Sequence, residues 1–103
     1  MAYKLVITER AEQLLDRLVY YLLFQIKNEQ AAAHLLDEVS SIYERIEENP
    51  FQFPECRDAY LKSKQYREAA SLEMNYVVIY KIEDDTVYVL GVFHGLENYG
   101  KKV

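Results

Sequence analysis

Basic and aromatic residues alternate between Arg57 and Arg67, and this stretch is the local pattern best suited to phosphate contact. Arg57, Lys62, Lys64 and Arg67 stand against Asp58 alone and leave a local charge of +3. Cationic groups fix phosphates and aromatic rings stack on bases, so these residue types suit RNA. A solvated loop with its tyrosines packed underneath is the commoner reason for such a pattern. Both interpretations stay open on the sequence alone.

The histidines and the cysteine are isolated from one another. His94 follows an apolar run and precedes Gly95, and we expect it to make a structural hydrogen bond rather than to act as a general acid or base. His34 falls on the polar face of a predicted helix. Cys56 lies beside Arg57, which could lower the thiol pKa, yet no histidine is near in sequence. We expect an inert thiol, and neither a metal site nor a cofactor.

Length and charge limit the class of protein. The chain has 103 residues, of which 50% are hydrophobic and 28% charged, with a net charge of -5. This predicts one soluble domain over residues 1–103. Residues 1–56 carry the whole net charge, whereas a non-specific nucleic-acid binder usually has a basic excess. No signal-peptide or membrane-spanning pattern is present, so we expect a cytoplasmic protein that does not enter a membrane.

The hydrophobic pattern predicts six elements in the order β-α-α-β-β-β. They are a strand at Tyr3–Ile7 with apolar residues on both sides and hence central, a helix from Thr8 to about Ile26, a helix from Glu29 to Glu48, a weaker strand at 66–72, and strands at Tyr76–Ile82 and Val87–Phe93. Residues 51–63 are predicted to be a loop. The order indicates an α+β fold in which a helical hairpin packs on a mainly antiparallel four-stranded sheet.

A helical periodicity assigns the buried positions. The predicted core comprises Leu15, Leu18, Leu22, Leu35, Val39, Ile42 and Ile46 from the helices, and Val78, Ile79, Val89 and Leu90 from the last two strands. Ile26 and Leu36 belong to the same apolar stripes. On a straight first helix, Tyr20, Leu23 and Phe24 project onto the polar side. Large apolar groups there indicate a partner surface or a second packing contact.

The C-terminal half carries a more specific pattern. The ladder Tyr76-Val-Val-Ile-Tyr80-Lys-Ile82, an acidic turn, and Val87-Tyr-Val-Leu-Gly-Val-Phe93-His-Gly95 resemble the closing hairpin of RelE/ParE-type toxins. The short first strand, the helical hairpin and the helix that ends at Asn49-Pro50 before an aromatic residue match as well. The resemblance therefore covers nearly the whole chain.

This resemblance implies a bacterial toxin of a type II toxin–antitoxin pair, neutralised by a cognate antitoxin. Some members cleave mRNA on the ribosome with clustered lysines, arginines and a tyrosine, and others poison DNA gyrase without nuclease chemistry. It also implies that the antitoxin covers apolar surface, for which Tyr20, Leu23 and Phe24 are the candidates; a homodimer is the alternative occupant of that patch.

Departures from the nuclease pattern favour a protein target. Val77 stands where the family has arginine, Glu68 and Ala70 where basic residues are expected, and Leu96-Glu97-Asn98 where a basic segment should come after Gly95. Arg67, Tyr99 and His94 remain as candidate catalytic residues, and Arg57, Lys62 and Lys64 as contacts to nucleic acid or a target. A ribosome-dependent endoribonuclease with an atypical basic set, and a non-toxic binding module that keeps the fold, are the alternatives.

Overall fold

The structure, a computed structural model, describes residues 3–71, 75–95 and 99. Its elements follow the predicted order with one extra helix: β1 (Lys4–Ile7), α1 (Glu9–Tyr20), α2 (Glu29–Glu48), α3 (Ala59–Ser63), β2 (Arg67–Ala70), β3 (Tyr76–Glu83) and β4 (Thr86–His94). Among the described residues, no helix is both long and apolar enough to cross a membrane. The α+β prediction is confirmed; Leu72, the predicted end of β2, lies outside the described residues.

The four strands form one mixed sheet in the order β1-β4-β3-β2. β1 runs parallel to β4, and the other two pairs are antiparallel. The prediction that β1 is central was therefore wrong. The strand is apolar because Leu5 and Ile7 pack against the core at this edge of the sheet. The backbone N–H of Tyr3 also donates to the carbonyl of Glu47 (3.0 Å), which joins the start of the strand to the end of α2.

The first helix begins as predicted and ends differently. The side chain of Thr8 accepts from the backbone N–H of Ala11, and its hydroxyl donates to the Val89 carbonyl (2.7 Å), which ties the helix start to β4. After Tyr20 the chain makes a π-helical turn over Tyr21–Gln25. A π turn inserts one residue into the helical repeat, and so it rotates the residues beyond it by about 100°. Ile26 is consequently 50% exposed, against the prediction that it is buried.

The helical hairpin covers one face of the sheet and forms the main core. The α2 prediction is confirmed at Leu35, Val39, Ile42 and Ile46, which meet strand residues Val78, Tyr80, Val87 and Val89. Leu15 and Leu18 are only half-buried, and Leu36 is 43% exposed. Leu90 is half-buried rather than buried because the β3–β4 register shifts there, between Ile79 and Tyr80, and leaves it without a cross-strand partner.

The segment predicted as a loop closes a second, smaller core on the opposite face of the sheet. It contains a 3₁₀ turn at Pro50–Gln52 and the helix α3, whose N-cap Asp58 accepts from the Leu61 backbone N–H (3.1 Å). The buried members of this second core are Cys56, Leu61, Val77, Ile79 and Phe93. Gly91 faces it, and a Cβ there would lie 2.5 Å from Phe93 Cε2, so this close approach requires glycine.

Burial in the second core decides the chemistry of Cys56. Desolvation, and then the carboxylates of Glu68 and Asp58, raise the pKa of the thiol to about 12. Arg57 therefore does not lower the pKa of this thiol below its ordinary value. The thiol stays protonated at neutral pH, and the thiolate is the reactive form.

We expect Cys56 to resist modification in the folded chain. At neutral pH, a thiol-specific disulfide reagent should react only as fast as the chain unfolds, and at once in denaturant. The folded pKa lies above the ordinary value of 9.0, so the thiol's contribution to stability is complete below pH 9 and is lost as the pH rises towards 12. Between pH 9 and pH 12, the unfolding free energy of Cys56→Ala should therefore fall less steeply than that of the parent chain. The two slopes should differ by up to about 1.4 kcal/mol per pH unit. Rapid reaction of the native thiol would contradict the assignment.

Candidate functional site

A buried carboxylate lies on the edge strand β2, on the sheet face that carries the second core. Glu68 of β2 is 4% exposed. Its Oε1 accepts from the backbone N–H of Arg57 (2.6 Å), and its Oε2 accepts from the hydroxyl of Tyr99 (3.1 Å). The Arg57 Nε lies 3.7 Å from Oε1, although this side chain is 88% exposed. These contacts compensate the desolvation of the charge.

Both the ring and the hydroxyl of Tyr99 make contacts that fix the side chain. Its ring stacks on Phe93 with the centroids 5.9 Å apart, while its hydroxyl reaches Glu68. Burial, followed by the neighbouring Glu68 carboxylate, raises the pKa of Tyr99. The hydroxyl is therefore protonated at neutral pH and donates its proton to the hydrogen bond with Glu68. In this arrangement the Tyr99 hydroxyl makes a structural contact.

A pocket of about 430 Å³ opens beside Glu68. Its walls are Arg45, Phe53, Pro54, Arg57, Glu68 and Ala70. The Arg45 guanidinium lies 4.8 Å above the Phe53 ring, and its Nε donates to Gln52 Oε1 (3.1 Å). Two guanidinium groups thus flank an apolar wall and a buried carboxylate, an arrangement that can receive a polar group of a partner.

Arg67 lies on the other face of the sheet. In the β2–β3 register it is opposite Tyr80, whereas Glu68 is opposite Ile79. Its Nη1 donates to the Phe53 carbonyl (2.5 Å), and its guanidinium lies 5.1 Å from the Phe51 ring centroid. The Tyr80 hydroxyl donates to the Pro50 carbonyl (2.6 Å) nearby. Together these contacts fix the turn after α2.

The histidines occupy unrelated places. His94 is opposite Tyr76 at the end of the β3–β4 pair, with the two rings 5.4 Å apart edge to face. Tyr76 belongs to the main core, so His94 shares a face with Arg67 and not with Tyr99. His34 is exposed on α2, as predicted, with its Nε2 3.3 Å from Glu38 Oε1.

The basic segment around α3 forms an exposed ridge. Lys62 and Lys64 are exposed, and Tyr60 is 56% exposed. Lys64 Nζ lies over two rings, 4.8 Å from the centroid of Tyr60 and 5.7 Å from that of Tyr66. Arg57 lies just before the ridge and also faces solvent. The three predicted contact residues are therefore accessible, and Arg67 is separate from them.

Four apolar residues at the end of the helical hairpin form a second exposed surface, which we call the tip patch: Tyr20, Tyr21, Phe24 and Ile26. Their exposed fractions lie between 50% and 61%. The rings of Tyr20 and Phe24 are 4.5 Å apart and form one unit. Leu23 does not belong to this surface, because it is half-buried and packs against the main core.

Sequence reasoning missed Glu68, Arg45 and Phe53 as members of a site. Arg45 lies in the last turn of α2 and Phe53 follows soon after it, whereas Glu68 lies in β2, and only the packing of β2 beside the end of α2 brings them to one pocket. The alternation Arg67-Glu68-Ala69-Ala70 carried a partial signal, since period 2 places Glu68 opposite in direction to Arg67. Within residues 3–71, 75–95 and 99, no three His, Cys, Asp or Glu side chains lie together as a metal site requires. The segment Leu96-Glu97-Asn98, where the sequence departs from the nuclease pattern, lies outside the described residues.

Comparisons with known proteins agree with this fold. Residues 5–99 match the family described as the ParE toxin of the type II toxin–antitoxin system parDE. A solved structure of the chromosomal ParDE toxin–antitoxin system from P. aeruginosa superposes with a TM-score of 0.70 at 10% identity, covering 90% of this chain and 96% of that one. No curated protein sequence matches. Since the family match spans almost the whole chain, this protein belongs to the ParE toxins of type II toxin–antitoxin systems.

Proposed function

We propose that this ParE toxin acts in the bacterial cytoplasm by binding a protein target such as DNA gyrase, without nuclease chemistry, and that a cognate antitoxin holds it inactive. The observation that carries the proposal is the separation of the candidate catalytic groups. Tyr99 lies on one face of the sheet with Glu68, whereas Arg67 and His94 lie on the other. Cleavage of a phosphodiester without metal needs cations and a proton-transfer group at one phosphate.

The charge of the Glu68 pocket supports the same conclusion. A phosphate that entered between Arg45 and Arg57 would meet the Glu68 carboxylate as part of the wall. Like charges at close range oppose binding, and they oppose most strongly a transition state that gains negative charge. A protein surface can instead supply a donor or a cation to the carboxylate and carboxylates to the two guanidinium groups.

The exposed ridge at α3 is the proposed target contact. Arg57 just before α3, Lys62 within it and Lys64 just after it present three cations to solvent, and the buried Leu61 anchors the helix between them. Such a rigid charged ridge suits a complementary acidic surface, where electrostatic attraction raises the association rate and selects the partner.

An assay with purified components separates the two toxin mechanisms. We expect the chain to inhibit DNA supercoiling by gyrase or to trap cleaved gyrase–DNA complexes, and to leave ribosome-bound mRNA intact. Because the ridge supplies the contact, Lys62→Glu with Lys64→Glu should weaken the gyrase effect about tenfold or more. Lys4→Glu with Lys27→Glu is the control of equal charge. Ribosome-dependent cuts in mRNA by the parent chain would overturn the proposal in favour of the endoribonuclease.

Arg67→Ala should reduce growth arrest through stability. The substitution removes the hydrogen bond to Phe53 and the contact with the Phe51 ring, and we expect a loss of about 1–3 kcal/mol in unfolding free energy. Growth arrest and melting temperature should then decline together when soluble protein levels are matched. A variant that melts like the parent and has lost all toxicity would instead support the catalytic role predicted for Arg67. A variant with full toxicity and an unchanged melting temperature would refute both roles.

We further propose that the tip patch is part of the antitoxin contact. Exposed aromatic residues that stack on each other are preordered and lose little entropy on binding, which makes them effective interface anchors. Tyr20 and Phe24 meet this description, with 61% and 58% exposure and a centroid distance of 4.5 Å. Leu23 would act indirectly, by holding the helix end against the core.

Substitution of Tyr20 and Phe24 by Gln should weaken the complex with the antitoxin about tenfold or more and leave the melting temperature of the free chain unchanged. The matched control is Tyr60→Gln, which removes an aromatic residue of similar exposure from α3. The affinity is measured by titration of purified toxin with antitoxin. If the double variant binds the antitoxin as tightly as the parent chain does, the tip patch is not part of this contact. If the free parent toxin is a dimer and the double variant is a monomer, the tip patch belongs to a homodimer interface.

A further inference from the structure

A groove between α3 and the β3–β4 hairpin carries two lysines on opposite walls. It has a volume of about 380 Å³ and is lined by Lys64, Gln65, Tyr66, Lys81, Ile82 and Glu83. It contains neither the Glu68 carboxylate nor the tip patch. From its geometry and charge we propose that the groove binds an acidic peptide segment of a protein partner. The inference shares Lys64 with the proposed target contact, and its test does not use toxicity.

The first wall is a tight turn that directs Lys64 into the groove. After α3, the backbone N–H groups of Lys64 and Tyr66 both donate to the Leu61 carbonyl, at 3.1 Å. Gln65 between them has a φ of 63°, in the left-handed region. Because Leu61 is fully buried, this turn has a rigid base. Lys64 Nζ is then held over the rings of Tyr60 and Tyr66.

The second wall comes from the sheet. Lys81 is opposite Tyr88 in the β3–β4 register, and its Nζ lies 5.3 Å from the centroid of that ring. The same Nζ is 2.8 Å from Glu83 Oε1. A hydrogen bond to Glu83 raises the pKa of Lys81, so the ammonium group is charged at neutral pH. Tyr66 supplies apolar surface in this groove, whereas the side chain of Ile82 packs against the main core on the other face of the sheet.

Two cations separated by apolar surface complement carboxylates that flank an apolar side chain. An extended acidic peptide provides this pattern, since alternate side chains point to the same side. The carboxylates would approach Lys64 and Lys81, and the apolar residue would contact the edge of the Tyr66 ring, whose face Lys64 covers. Glu83 competes for Lys81 and so limits the affinity.

Single-stranded nucleic acid fits the groove less well. Bases bind such surfaces by stacking on free aromatic faces. Here Lys64 lies over Tyr60 and Tyr66, and Lys81 lies over Tyr88, so the ammonium groups occupy those faces. The chain also has a net charge of -5, which repels a polyanion more than a peptide with a few carboxylates.

The experiment titrates the purified, isotope-labelled chain with the octapeptide Ser-Glu-Ser-Leu-Ser-Glu-Ser-Ser, whose two glutamates and central leucine share one side of an extended chain, and monitors backbone amide resonances. We expect shifts centred on residues 64–66 and 81–83, and much smaller ones with the matching peptide in which glutamine replaces both glutamates. Lys64→Gln and Lys81→Gln should each weaken binding about threefold, while Lys62→Gln, outside the groove, should not. Glu83→Gln should tighten binding about threefold, because it frees Lys81 and removes a repulsive charge.

Loss of folding cannot produce a gain in affinity, so Glu83→Gln keeps the test decisive even if a lysine variant is unstable. Tighter binding of an oligodeoxythymidine than of the acidic peptide would overturn the proposal in favour of nucleic acid. No shift at millimolar peptide, or equal shifts with the glutamine peptide, would also overturn it. Gyrase inhibition is not measured, so this outcome is independent of the proposed target.

Discussion

The buried carboxylate of Glu68 is the interaction on which the functional face depends. A charge that is 4% exposed must be paired or hydrogen-bonded, and the Glu68 carboxylate on β2 has its partners in two other parts of the chain: the segment before α3, and Tyr99. Removing one partner from a buried charge costs far more than an exposed ion pair contributes. The same carboxylate joins these three segments and forms one wall of the pocket beside Arg45 and Arg57.

The sheet separates two sets of contacts that are adjacent along the chain. Arg67 and Glu68 are neighbours in sequence, yet one fixes the turn after α2 on the helical side and the other organises the opposite face. The two-residue period of a strand is the cause. The basic character of the segment 57–67 is divided in the same way, so that a cluster in sequence is not a cluster in space.

The surfaces left to solvent have different physical characters. The tip patch is apolar and aromatic, whereas the ridge at α3 and its groove combine lysines with tyrosine rings. An apolar surface suits a partner that stays bound, because its exposure is costly in the free chain. A charged surface suits encounter and selection, because its attraction acts at a distance and depends on salt. The proposed function, in which one protein holds the toxin inactive and another is its target, would use both kinds.

The sequence by itself determined the element order, the fold class, the α2 side of the core and the family resemblance. These rest on local signals: the helical period, the helix start at Thr8, the Asn49-Pro50 stop and the alternating C-terminal strands. Tertiary structure decided what depends on contacts between distant segments. It placed β1 at an edge, rotated Leu23 inward and Ile26 outward through a π turn, buried Glu68 and Cys56, and divided Arg67 from Tyr99. Local periodicity carries no information on which strand lies beside which, or on what covers a face. Those two facts set the burial and the partners of the candidate site residues, and they raise the pKa of Cys56 and Tyr99.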